Sequence, residues 1–201
     1  MKLYHSPTSP FVRKVMVLLH AAKATDKVTL VPAAGTPLAP GTMPIDHNPL
    51  GKIPALERDD GPAIYDSRVI TRYLDDVLKA GLYPTSPRLW EVLTMEATAD
   101  GITDAAVLIR YELHVRPEGS RSQDWAEGQW HKIDRALTAV ESRWMAHLSG
   151  PLDMGQIALG CALGYLDFRH PDRDWRRGRP ALAAWAAGFM DSPAMLATRP
   201  S

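Results

Sequence analysis

Apolar positions change their period part-way along the chain, and the change divides it in two. Up to about residue 80, short strand-like runs alternate with helical spacing. Lys2-Leu3-Tyr4 reads as a short strand, and Ser6-Pro7-Thr8-Ser9-Pro10 as a turn that launches a helix. Ser9 suits the N-cap and Pro10 the first helical position, where its missing N–H costs nothing. Phe11, Val15, Leu18, Leu19 and Ala22 then recur at helical spacing. Val28-Thr29-Leu30-Val31 is a β-branched strand, and the Pro- and Gly-rich stretch 32–44 is a surface loop. A short apolar run at Ala55-Leu56, a turn at Asp59-Asp60-Gly61-Pro62 and a second run at Ala63-Ile64-Tyr65 follow. Ser67 opens a helix with Val69, Ile70, Tyr73, Leu74, Val77 and Leu78 on one face. The order β-α-β-loop-β-β-α predicts a compact mixed-sheet domain.

Strand signals vanish beyond Tyr83-Pro84-Thr85-Ser86-Pro87. Trp130, Ile133, Leu137, Val140, Trp144 and Leu148 predict one long helix with a buried face. Gly150-Pro151 breaks it. Asp153 and Gln156 have capping-box spacing ahead of a helix from 155 to 168 that is apolar nearly all round, hence central and buried. Gly160 and Gly164 allow close packing there, and Cys161 reads as an inert core residue. Pro180 opens a last helix carrying Leu182, Trp185 and Met190. The expected division is an α/β domain over 1–80, a linker over 81–87 and an all-helical domain over 88–201.

Composition narrows the function classes. The 201 residues are 45% apolar and 23% charged, with no formal net charge, the profile of a soluble globular protein. A chain this neutral lacks the basic footprint of a nucleic-acid binder. Its longest nearly uncharged stretch, about 154–166, is too short for a bilayer. The N-terminus lacks the apolar core of a signal peptide. One cysteine excludes an internal disulfide framework and CxxC chemistry, which fits a reducing, cytoplasmic compartment. The seven histidines show no ligand spacing, so no metal is expected. Gly51-Lys52 lacks the upstream glycine and following hydroxyl of a phosphate-binding loop.

The richest segment is Asn48-Pro49-Leu50-Gly51-Lys52-Ile53-Pro54-Ala55-Leu56, followed by Asp66-Ser67. Its prolines and glycine preset a tight backbone. An Ile53-Pro54 bond entering a strand suits the cis form, which would turn the N–H and C=O of Ile53 outward as an edge for a peptide ligand. Ser67 at a helix start offers free N–H groups to a carboxylate, and Asp66 can accept from an ammonium. Together they describe a seat for a small peptide with a free α-amino acid end.

These residues, with Tyr4, Ser6-Pro7, Ser9-Pro10 and Val15, resemble the glutathione transferase superfamily, closest to small bacterial members with a serine at the start of the first helix. The resemblance spans the whole chain. It implies a thioredoxin-like N-terminal domain, a helical C-terminal domain and a homodimer. It also implies a detoxifying enzyme that binds glutathione as co-substrate and transfers it to an apolar electrophile. Asp66 stands where many members carry Glu, and the Asp153/Gln156 cap varies the family's usual Ser or Thr with Asp. The resemblance implies that Ile53, before Pro54, pairs with the cysteinyl backbone. Asp66 and Ser67 would hold the γ-glutamyl end, Lys52 the glycyl carboxylate or a nearby backbone group unless it is simply solvated, and Ser9 the sulfur. Ser9 could also be only a cap, and Ser6, Thr8 or Tyr4 are rival donors whose plainer roles are turn and core. Asp100 and Asp104, four apart on one helix face, read as a solvated face. Alternatively they line a cleft, with Asp100 in a cross-subunit glutathione contact. Phe11, Asp104, Arg110 and Tyr111 are candidates for the second-substrate pocket. Glutathione-dependent disulfide reduction or dehalogenation, and a non-catalytic binding or regulatory protein, remain alternatives.

Overall fold

A computed structural model describes residues 1–200. Two compact units emerge: Met1–Thr85 together with the chain from Pro193 onward, and Ser86–Ser192.

In the first unit four strands form one sheet in the order β2-β1-β3-β4: β1 (Lys2–His5), β2 (Thr29–Pro32), β3 (Ala55–Arg58) and β4 (Gly61–Ile64). β1 runs parallel to β2 and antiparallel to β3, and β3 is antiparallel to β4. Helices α1 (Pro10–Ala21) and α2 (Ser67–Leu78) pack on each other. Leu3, Val15, Leu18, Leu56, Ile70 and Leu74 are fully buried, the apolar positions whose periods marked these elements. The β3–β4 turn is tighter than its composition suggests. Gly61 pairs with Arg58 and already belongs to β4, leaving Asp59-Asp60 as the turn. Arg58 fastens it, donating to the Pro62 carbonyl at 3.0 Å and to Asp60 at 3.3 Å. Pro62 is tolerated because β4 is an edge strand.

The second unit holds α3 (Arg88–Arg110), a π-helical turn (Tyr111–Val115), α4 (Gln123–Arg143), α5 (Met145–Leu148), α6 (Met154–Arg169) and α7 (Pro180–Met190). All residues from Met154 to Leu166 are buried, so α6 is the central helix its composition predicts. It lies parallel to α3. A Cβ on Gly155 would meet Met95 at 2.9 Å, while at the other end His170 Nε2 donates to the Ala106 carbonyl at 3.0 Å.

Three expectations need correction. The helix expected through Leu148 breaks at Trp144, whose φ of −116° leaves the helical range, and resumes as α5 with Leu148 still buried. The capping box is half made: Asp153 Oδ1 accepts from the Gln156 N–H at 3.1 Å. The Gln156 side chain turns away and donates instead to the Gly150 and Pro151 carbonyls, each at 3.2 Å. Those carbonyls belong to a loop with no ladder to satisfy them. Finally, the chain from Pro193 onward, expected in the helical domain, joins the first unit. There α8 (Pro193–Ala197) packs on α1, Met195 is fully buried, and the buried Arg13 guanidinium donates to the Met195 carbonyl at 3.1 Å.

Candidate functional site

Strand register brings the singled-out segments of the first unit together. Tyr4 pairs with Ala55, so the C-terminal end of β1 lies beside the N-terminal end of β3. Leu56 pairs with Ile64, which puts the C-terminal end of β4 at the same edge. The loop to Ser9, the Ile53-Pro54 segment and Asp66-Ser67 therefore emerge from one end of three adjacent strands. Two strand spacings span about 10 Å, and an extended tripeptide reaches about as far.

Each segment is held locally. Ser9 is the N-cap of α1, its Oγ accepting from the Val12 N–H at 3.3 Å. A hydroxyl has one donor and two acceptor sites, and that of Ser9 donates to no group among the described residues. Of its rivals, the Tyr4 hydroxyl donates to Glu57 at 3.2 Å, while Ser6 Oγ and Thr8 Oγ1 share one hydrogen bond at 3.2 Å, which commits the proton of one of the two. Burial, then that carboxylate, pushes the Tyr4 phenol above its ordinary value.

Asn48 has a role that its place in the motif did not disclose. It is buried, donates from Nδ2 to the Lys52 carbonyl at 2.8 Å and accepts from the Leu50 N–H at 3.1 Å. These bonds clamp the turn around Gly51, whose φ of +59° suits glycine. The Ile53–Pro54 peptide is cis. Outside the strand ladders, neither backbone polar group of Ile53 pairs among the described residues. Lys52 is exposed. Asp66 is the N-cap of α2 and accepts from the Arg68 N–H at 3.0 Å, with Ser67 buried at the first helical position. One exposed carboxylate and one helix N-terminus thus stand side by side.

In the second unit Asp100 is only 3% exposed while Asp104 is exposed, so the shared solvated face fails at Asp100. Close packing of α3 draws Glu96, Asp100 and Thr103 inward as one buried row. Arg110 is half-buried at the end of α3, and Tyr111 is half-buried at the start of the π-helical turn. Burial raises the Tyr111 phenol above its ordinary value. Phe11 is half-buried one residue into α1.

A family model for the glutathione S-transferase N-terminal domain matches residues 8–77, and one for the C-terminal domain matches residues 123–188. The uncharacterized GST-like protein YibF of Escherichia coli (strain K12) is 32% identical over 100% of this chain and 98% of its own. The chain belongs to the glutathione S-transferase family. A glutathione transferase family member from Pseudomonas fluorescens Pf-5, solved with bound glutathione, is 47% identical with a TM-score of 0.96, covering 100% of this chain and 98% of that one. A structure from the same organism with bound S-(propanoic acid)-glutathione is 46% identical with a TM-score of 0.91, covering 100% of both chains. The mixed sheet followed by helices is the glutathione S-transferase fold. Arg110 and Tyr111 fall between the two matched spans. Among the described residues no helix is long and apolar enough to cross a membrane, and no cluster of His, Cys, Asp or Glu suits a metal ion.

Proposed function

We propose that this glutathione S-transferase binds glutathione at the sheet end described above and uses Ser9 to hold its sulfur as thiolate. Ile53 pairs with the cysteinyl backbone, Asp66 and Ser67 take the γ-glutamyl end, and Lys52 takes the glycyl carboxylate. The observation that carries the reading is convergence. A hydroxyl with its proton uncommitted, an unpaired backbone edge and a helix N-terminus share one end of the sheet. Glutathione in the Pseudomonas fluorescens relative supports it.

A free thiol has a pKa near 8.5, and lowering it by about two units takes about 2.7 kcal/mol. A hydrogen bond from Ser9 and the positive pole of α1 are of that size together. The thiol releases its proton to solvent. The thiolate sulfur then donates a pair to an electrophilic carbon, and a leaving group departs with its own pair, or an added proton quenches the resulting carbanion. Phe11, two residues after Ser9 on α1, is proposed to contact that electrophile. Reaction at a disulfide sulfur is the second reading. The lone cysteine lies far along the chain at Cys161, buried in α6, so bound glutathione itself would attack.

We also propose a homodimer in a reducing cytoplasm, where glutathione stays a thiol. Val69, Tyr73 and Val77 form an apolar stripe on α2, with Val69 48% and Val77 44% exposed, a surface suited to a second copy. Calorimetry with glutathione, then turnover on a panel of alkyl and aryl halides, Michael acceptors and mixed disulfides, tests the function. Binding with conjugation supports the transferase. Binding with disulfide turnover alone supports the second reading, and binding with no turnover leaves a carrier. Absence of binding overturns all three.

A further inference from the structure

The far end of the chain fastens the helix that Ser9 caps. α8 is five residues long, so most of its backbone carbonyls find no partner within it. Two side chains supply donors instead. Thr198 Oγ1 donates to the Ala194 carbonyl at 2.9 Å, and the Arg13 guanidinium, reaching across from α1, donates from Nη2 to the Met195 carbonyl at 3.1 Å. Arg13 Nε lies 3.5 Å from Thr198 Oγ1. Met195 is fully buried and Arg13 only 7% exposed, so the bond between them lies out of water. Arg13 also belongs to the first turn of α1. Its own N–H donates to the Ser9 carbonyl at 3.0 Å, one residue after the Val12 N–H meets Ser9 Oγ at 3.3 Å. One residue thus holds Ser9 through its backbone and α8 through its side chain.

Stability alone is the plainer explanation, and it does not account for the residue type. An apolar side chain at position 13 would pack on α8 without desolvating a charge, and replacements of that kind are often neutral or stabilising. Met195 already supplies an apolar anchor. What a guanidinium adds is direction. Its planar fork ties a backbone carbonyl of α8 at a set angle to α1, which limits both rotation of α1 about its axis and fraying of its first turn. A hydroxyl that must aim its proton at one sulfur depends on both.

We infer that Arg13 is a positioning residue for Ser9, and that α8 is the clasp through which it acts. This rests on the glutathione reading above and adds that the C-terminal segment sets how well Ser9 stabilises the thiolate. The test follows the thiolate absorbance of bound glutathione against pH. Met195→Ala keeps the guanidinium and empties the anchor. In that variant and in Arg13→Gln the bound thiol pKa should rise by about 0.5–1 unit, less than loss of the Ser9 hydroxyl would cause. Leu182→Ala, which truncates a fully buried side chain in the second unit, should lower stability and leave that pKa unchanged. If Arg13→Gln fails to fold, Arg13→Lys, which keeps the charge and loses the fork, takes its place with the same expectation. A pKa unmoved in the first-unit variants overturns the inference. So does a shift in only one of them, which would trace to charge at Arg13 or to apolar contact at Met195, and so does an equal shift in Leu182→Ala. If wild type does not bind glutathione, the glutathione reading fails on its own. Amide exchange in the ligand-free chain then decides the clasp. The Val12 and Arg13 N–H groups should exchange about tenfold faster in Met195→Ala, measured against the Leu18 N–H of the same helix; an unchanged ratio overturns it.

Discussion

Replacing Ser9 with alanine separates two roles that one hydroxyl can hold at once. As a cap, Ser9 accepts from the Val12 N–H at 3.3 Å, and losing that bond should cost about 1 kcal/mol of stability. As a donor to sulfur, it would stabilise the charged form of bound glutathione only. A hydrogen bond to a charged group is worth about 1.5–3 kcal/mol, so the bound thiol pKa should rise by roughly one to two units. Well below that pKa the thiolate fraction then falls about ten- to hundredfold. The remaining thiolate is more basic and more nucleophilic, and a Brønsted slope of about 0.4–0.5 returns nearly half of the exponent. The net loss in kcat/KM at about pH 5, well below both pKa values, is roughly four- to tenfold. Above both pKa values the variant should match or exceed wild type. The assay is kcat/KM against pH for one electrophile, beside the thiolate absorbance of the binary complex. Ser9→Thr keeps a hydroxyl and a cap, and should keep the acid limb of the profile. If Ser9→Ala loses stability while its acid limb stays where wild type has it, Ser9 is a cap and the sulfur is held by another group.

Two further outcomes follow from the same geometry. Asn48→Ala would strand the Lys52 carbonyl and the Leu50 N–H beside a buried position, costing about 2–3 kcal/mol in urea unfolding. Its glutathione affinity should drop with no change in the acid limb; an affinity equal to wild type would remove Asn48 from the positioning of Ile53. Acid sensitivity should trace to half-buried imidazoles. Burial first holds His170 below the ordinary value of 6.5, and likewise His5. The unfolded chain then takes up protons first as pH falls. Stability is complete above about 6.5 and declines below it, by at most about 1 kcal/mol per histidine over the first pH unit. Urea midpoints at pH 7.5 and 5.5, with His170→Gln flattening the difference, check the sign; stability that rises on acidification refutes it.

What could be read in the chain was local, and what could not depended on packing between distant segments. The starts of α1 and α2 were legible because a cap and its helix are adjacent: Ser9 before Pro10, Asp66 before Ser67. The succession of strands along the chain needed only turn chemistry and short apolar runs, whereas their order in the sheet did not follow from them. The break at Trp144 was hidden because the apolar spacing from Trp130 to Leu148 continues across it, buried side chains having resumed their face on α5. Arg13 reads as a solvent-side charge of α1 until its acceptor is known, and that acceptor is the Met195 carbonyl, supplied by the far end of the chain. Asp100 and Asp104 share a helical face by spacing, yet burial parts them, since a helix face can cross from core to rim within one turn. The pairing of α3 with α6 is hidden for the same reason: Gly155 against Met95 and His170 against Ala106 set it, and each contact joins residues far apart in the chain. The peptide seat is written in contiguous motifs and the helical packing is not, so the first could be read from residue types alone while the second needed the fold.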